Sequence, residues 1–172
     1  MKDKILILGG YSNKNIPWIN KMKEIFNKDY STYLLEYQHW YSDKELDIEK
    51  EISNISKIIN ENNIDIVIAK SIGIVLVSMA IEKKLISPKK VVFLGYPKKV
   101  LDEEKMDILS NILEKKDEID MIFIQQENDF QCSYEKLLEL LPMDIKAFSI
   151  EGSDHSYSDV ESIKMFVDEF LK

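Results

Sequence analysis

Six short runs of apolar, largely β-branched residues recur along the chain. They are KILILGG at 4–10, STYLLEY at 31–37, DIVIAKS at 65–71, KVVFLGY at 90–96, DMIFIQQ at 120–126 and DIKAFSI at 144–150. Most are apolar at consecutive rather than alternate positions, as strands covered on both faces should be. Between them the apolar residues return every three or four positions, a spacing that lines one face of a helix. Trp18, Met22, Ile25 and Phe26 mark one such segment, Ile48, Ile52, Ile55 and Ile59 a longer one, and Ile163, Phe166, Val167 and Phe170 the last. Leu101, Met106, Leu109 and Leu113 predict a further helix over 102–116, inside the longest connection.

Strand and helix thus alternate throughout, which predicts an α/β fold of three layers, a six-stranded, mostly parallel sheet with helices on both faces. Right-handed crossovers then bring every strand's C-terminus to one edge, where ligands of such folds bind. No repeat, low-complexity tract or Pro/Gly/Ser-rich linker divides the sequence, so residues 1–172 are expected to form one domain.

Charge and composition narrow the function. The net charge is −8, and all 23 basic residues are lysines, so no guanidinium fork is available for bidentate capture of phosphate. Nucleic acid is not an expected partner of so acidic a chain. The single Cys132 can form no internal bridge, no cleavable leader pattern opens the sequence, and no apolar run is long enough to span a membrane. A cytoplasmic location without membrane attachment is the expectation; nothing in the sequence fixes an oligomeric state.

The predicted strand ends carry the polar residues of interest, including both histidines, His39 and His155. Ser71 falls where the third strand gives way to a helix, with Ala69 two residues before it and Gly73 two after. A sharp strand-to-helix turn needs small residues at those places and lifts the turn side chain above the sheet. The Ile72 amide would then lie at a helix N-terminus, suited to developing negative charge. Ser71 could equally cap that helix. A serine nucleophile needs a base and the base needs an orienting carboxylate. His155 in GSDHSY and Asp129 in IQQENDF, after the sixth and fifth strands, offer both. Glu127 and Asp154 compete as the acid, and Ser153 and Ser156 as the serine, although neither serine joins a strand to a helix.

With Gly9-Gly10 ending the first strand, A-x-S-x-G around Ser71, Asp129 after a late strand and Asp154-His155 before the last helix, the whole chain resembles the α/β-hydrolase superfamily, in particular its small lidless serine esterases. The order serine, acid, histidine is that family's order. The resemblance implies a minimal α/β-hydrolase fold with strand order 2-1-3-4-5-6. It also implies a second oxyanion amide from Gly10 or Tyr11. The chain departs from the family's pattern at Ala69, where glycine is usual, and at Leu8, where an H-G-G motif would carry histidine.

The activity so implied is hydrolysis of a small ester, thioester or related acyl bond through an acyl-enzyme, with a small acyl substrate as partner and neither cofactor nor metal. An inactive binding protein of the same fold, or an acyltransferase, are the alternatives. His39, Trp40, Tyr96 and Trp18 are expected either to line the substrate pocket or to anchor packing. Cys132 lacks a basic neighbour and reads as a packing residue. Phosphate-loop and dinucleotide fingerprints fail for want of their glycines.

Overall fold

In the computed structural model, which describes residues 2–172, each apolar run contains a strand. These are β1 (Lys4–Leu8), β2 (Ser31–Leu35), β3 (Ile66–Lys70), β4 (Lys90–Leu94), β5 (Asp120–Gln126) and β6 (Lys146–Ile150). Except for β5, each strand is shorter than its run. Residues left over, among them Gly9-Gly10, Ser71 and Gly95-Tyr96, make the turns at the sheet's C-terminal edge. The sheet order is β2-β1-β3-β4-β5-β6, as the resemblance implied, and all five pairings are parallel.

The helices are α1 (Asn15–Phe26), α2 (Ile48–Asn62), α3 (Ile72–Glu82), α4 (Glu103–Glu114), α5 (Tyr134–Leu138) and α6 (Val160–Leu171). The chain steps from β1 outward to β2 and then reverses, so right-handed crossovers put α1 on one face and α2, α3 and α4 on the other. α6 returns to pack on α1, and α3 lies between α2 and α4. Covered by the sheet and two helices, α3 buries Gly73, Ile74, Val75, Leu76, Val77, Ser78, Ala80 and Ile81, which is why its sequence is apolar all round. The reversal leaves a crevice between the C-terminal ends of β1 and β3.

The helix expected over 102–116 is α4, started by Asp102, whose carboxylate accepts the Lys105 N–H. Periodicity gave no sign of α5 or of the 3-10 turns Gln38–Tyr41 and Lys98–Val100, because segments of three to five residues complete too little of a helical period to register. Among the described residues no helix is long and apolar enough to cross a membrane.

Candidate active site

Ser71 joins β3 to α3 with φ 53° and ψ −115°, a conformation that a side chain-bearing residue holds only under strain of about 1–3 kcal/mol. Its side chain makes no capping bond to α3, so the helix-cap role is not the one it fills. The turn is held by the backbone instead: Ser71 N–H donates to Leu94 O at 2.9 Å, and Ile74 N–H donates to Ser71 O at 2.9 Å. A Cβ on Gly73 would lie 3.0 Å from Leu8 Cβ and 3.1 Å from Gly9 O, so the first turn of α3 presses against the end of β1 and needs glycine there. Ala69, fully buried and in register with Leu8 and Phe93, occupies the other tight position.

Above this turn stands His155, with its Nε2 2.9 Å from Ser71 Oγ and its Nδ1 2.7 Å from Asp129 Oδ2. A carboxylate only accepts hydrogen bonds, so Nδ1 bears a hydrogen, and a ring protonated there alone offers Nε2 as acceptor to the serine hydroxyl. The Asp129 side chain is wholly buried, and an anion so placed must be surrounded by donors. Besides His155, it accepts the Tyr157 hydroxyl at 2.8 Å, Gln125 Nε2 at 3.2 Å and the Gln131 amide at 2.8 Å. The structure therefore brings together the three residues that the sequence named. Glu127, the competing acid, is exposed, and so is Ser153. Ser156 Oγ finds no hydrogen-bond partner among the described residues.

The loop carrying His155 is fixed by residues that the sequence did not single out. Gln126, at the end of β5, accepts the His155 N–H at 2.8 Å and donates to Asp154 Oδ1 at 3.0 Å. Asp154 also accepts the Ser156 N–H at 2.9 Å. That backbone bond, followed by the Gln126 bond, holds its carboxyl down at about 2. Asp154 is thus a loop brace rather than the acid facing His155. Tyr157 is fully buried, and its hydroxyl accepts the Gln126 N–H at 3.0 Å. Burial, then the Asp129 charge, pushes that hydroxyl's pKa well up. A cleft of about 970 Å³ opens above Ser71 and His155, walled chiefly by Trp18, Val75, Leu101 and Phe130, with Gly10 and Tyr11 at its β1 side.

Trp18 lines this cleft, but His39, Trp40 and Tyr96 do not. The 3-10 turn packs His39 and Trp40 behind the loop after β1, where Trp40 Nε1–H (2.9 Å) and His39 Nε2 (2.6 Å) both donate to Tyr11 O. They support the Gly10-Tyr11 loop instead of touching a ligand. Tyr96 turns inward against Phe123, and its N–H donates to Gln125 Oε1 at 2.9 Å. Cys132 is buried, which raises its thiol pKa.

Lys70, which the sequence did not single out, is only 5% exposed and lines the cleft. Its Nζ donates to Asn15 Oδ1 at 2.9 Å and to Ser156 O at 2.7 Å, and desolvation lowers its pKa to about 8. A charged residue ending an otherwise apolar strand was the available signal, as was the Gln125-Gln126 pair ending β5.

No protein-family model matches the sequence, and no curated protein does. Solved structures do. An uncharacterized protein from Bacillus cereus ATCC 10987 superposes with a TM-score of 0.74 at 15% identity over 99% of this chain, which spans 60% of that protein's length. A protein of the alpha/beta hydrolase superfamily from Xanthomonas campestris pv. campestris gives 0.69 at 9% identity, over 99% of both chains. The esterase domain of a Rhodothermus marinus protein gives 0.70 at 15% identity, over 98% of this chain and 84% of that one. At identities this low the likeness is one of fold, and the chain is a small protein of the α/β-hydrolase fold.

Proposed function

We propose that the chain is a serine hydrolase that cleaves an ester, thioester or related acyl bond through an acyl-enzyme. The observation that carries this reading is the unbroken hydrogen-bond path from Ser71 Oγ through the His155 ring to buried Asp129. Ser71 Oγ attacks the acyl carbon while its proton passes to His155 Nε2, and Asp129 stabilises the imidazolium so formed. The carbonyl oxygen becomes an oxyanion and accepts from the Ile72 amide, which as the first of α3 has no intrahelical partner. Gly10 or Tyr11 supplies the second amide. Collapse of the tetrahedral intermediate breaks the bond to the leaving group, which departs with the Nε2 proton. Water then gives a proton to His155, attacks the acyl carbon, and Ser71 leaves with that proton restored.

The apolar cleft walls suit an uncharged acyl group. A binding protein without turnover requires Ser71 and His155 to stand apart, and a separation of 2.9 Å counts against it. The test is labelling by a fluorophosphonate probe and hydrolysis of a p-nitrophenyl ester. Wild type should label and turn over, and Ser71→Ala should lose labelling and at least about a thousandfold in kcat. A wild type that does neither, or an Ser71→Ala protein that keeps both, overturns the reading.

A further inference from the structure

The proposed mechanism leaves a buried charge next to the serine without a task. Lys70 directly precedes Ser71, and the other residues of β3 are apolar. An ammonium in such a place costs several kcal/mol of desolvation, which a strand needing only to pack would avoid with an apolar side chain. Its two hydrogen-bond acceptors are uncharged oxygens, one on the residue that ends the loop after β1 and begins α1, the other in the loop that carries His155. Asn15 begins α1, and its side-chain amide fills the space beside Gly10: a Cβ there would lie 3.0 Å from Nδ2 and 3.1 Å from Oδ1. The same amide donates to Ser12 O at 2.8 Å. Ser156 follows His155. Trp18 and Tyr157 present their rings to the ammonium, with centroids 4.8 and 5.9 Å away, and Trp18 Nε1–H donates to Tyr157 O at 2.8 Å.

We propose that Lys70 is a positioning residue: its ammonium ties the loop bearing the Gly10 and Tyr11 amides to the loop bearing His155, and its charge favours the oxyanion formed beside them. This inference rests on the serine hydrolase reading. The tie and the charge are separable. Lys70 titrates at about 8, and the neutral amine keeps two donors for its two acceptors while losing the charge. The charged and titratable groups around it are Asp129 after β5, Asp154, His155 and Tyr157 after β6, and Lys14, Lys21 and Lys105 on the cleft's rim. Asp154 and Asp129 favour the ammonium, and burial opposes it more strongly.

The experiment is steady-state hydrolysis of a p-nitrophenyl ester from about pH 6 to about pH 10 by wild type, Lys70→Met and Ser71→Ala, corrected for spontaneous hydrolysis. Wild-type kcat should fall as pH rises through the Lys70 titration. Lys70→Met should keep KM within about threefold, lose on the order of 10-fold to 100-fold in kcat, and lack the alkaline decline. Should circular dichroism show that Lys70→Met does not fold, Asn15→Ala removes one oxygen that favours the charged amine and should move the decline to lower pH. A folded Lys70→Met with wild-type kcat, an alkaline decline that survives in it, or an unmoved decline in Asn15→Ala overturns the proposal while the Ser71-dependent activity stands. A wild type without Ser71-dependent turnover overturns the hydrolase reading and this inference with it.

Discussion

Gly95, in the turn after β4, has φ +67°, and a Cβ placed on it would lie 2.6 Å from Tyr157 Cε2 and 2.9 Å from His155 Cε1. Gly95→Ala therefore acts on the candidate base without altering any polar group. The left-handed backbone costs an alanine about 1 kcal/mol, and overpacking adds about 1–3 kcal/mol, so stability should fall by about 2–4 kcal/mol. For a chain of this length that lowers Tm by roughly 5–15 °C. Relief requires about 1 Å of movement to restore an ordinary carbon–carbon contact. Tyr157 is the tighter contact but is fully buried with its hydroxyl bonded to both Asp129 and Gln126, so relief displaces the loop that carries both rings, and the His155 ring moves with it. Moved by that amount, the ring loses its 2.9 Å bond to Ser71 Oγ, and kcat/KM should drop by about 100-fold. Ester hydrolysis, measured at a temperature where circular dichroism shows the variant fully folded, reads this directly. A folded Gly95→Ala protein within about threefold of wild-type kcat/KM would refute the geometry on which the reasoning depends.

Tyr157→Phe removes a donor from Asp129 and leaves the buried Gln126 N–H without its acceptor. It should cost about 1–3 kcal/mol in urea unfolding and about tenfold in kcat, and a neutral result in both would show that the hydroxyl supports neither. Lys70 also makes a stability prediction that needs no substrate. Its pKa of about 8 in the fold lies below the ordinary 10.5, so below about pH 8 both folded and unfolded chains carry the proton and the burial penalty is fully present. Between about 8 and 10.5 the unfolded chain binds more protons, and stability rises with pH by up to about 3 kcal/mol. The difference in unfolding free energy between wild type and Lys70→Met should therefore change by that order over this window, and a constant difference would refute the burial of a charged amine.

The strands and the places of Ser71, Asp129 and His155 were legible because they depend on local signals, whereas the sheet order followed from the family resemblance. Consecutive apolar runs, small residues flanking a serine and a short list of polar residues at strand ends are all visible in one dimension. What escaped was decided by distant packing. His39 and Trp40 follow β2 as aromatics beside a pocket would, yet the fold spends their N–H groups on the Tyr11 carbonyl behind the loop. Gly95 matters only because Tyr157 and His155, some sixty residues later in the chain, arrive against it. Gln125 and Gln126 look like a polar strand end, and only tertiary burial turns them into the partners of Asp129 and His155.

The two buried charges of the site are held apart. Asp129 Oδ2 takes the His155 ring, the Tyr157 hydroxyl and Gln125, whereas the Lys70 ammonium takes Asn15 Oδ1 and Ser156 O. Tyr157 meets both, its hydroxyl on the carboxylate and its ring toward the ammonium. A direct Lys70–Asp129 pair would relieve two desolvation penalties at once, and for stability alone it would be the better arrangement. It would also divide the carboxylate's pull between an ammonium and the imidazolium that the proposed mechanism forms when Ser71 gives up its proton. Surrounding Asp129 with neutral donors leaves its full charge for His155, and surrounding Lys70 with neutral acceptors leaves its charge for the other side of the reaction, where the oxyanion would appear. The separation of like-priced but unpaired charges on either side of Tyr157 is the feature of this core that packing does not require and acyl transfer would use.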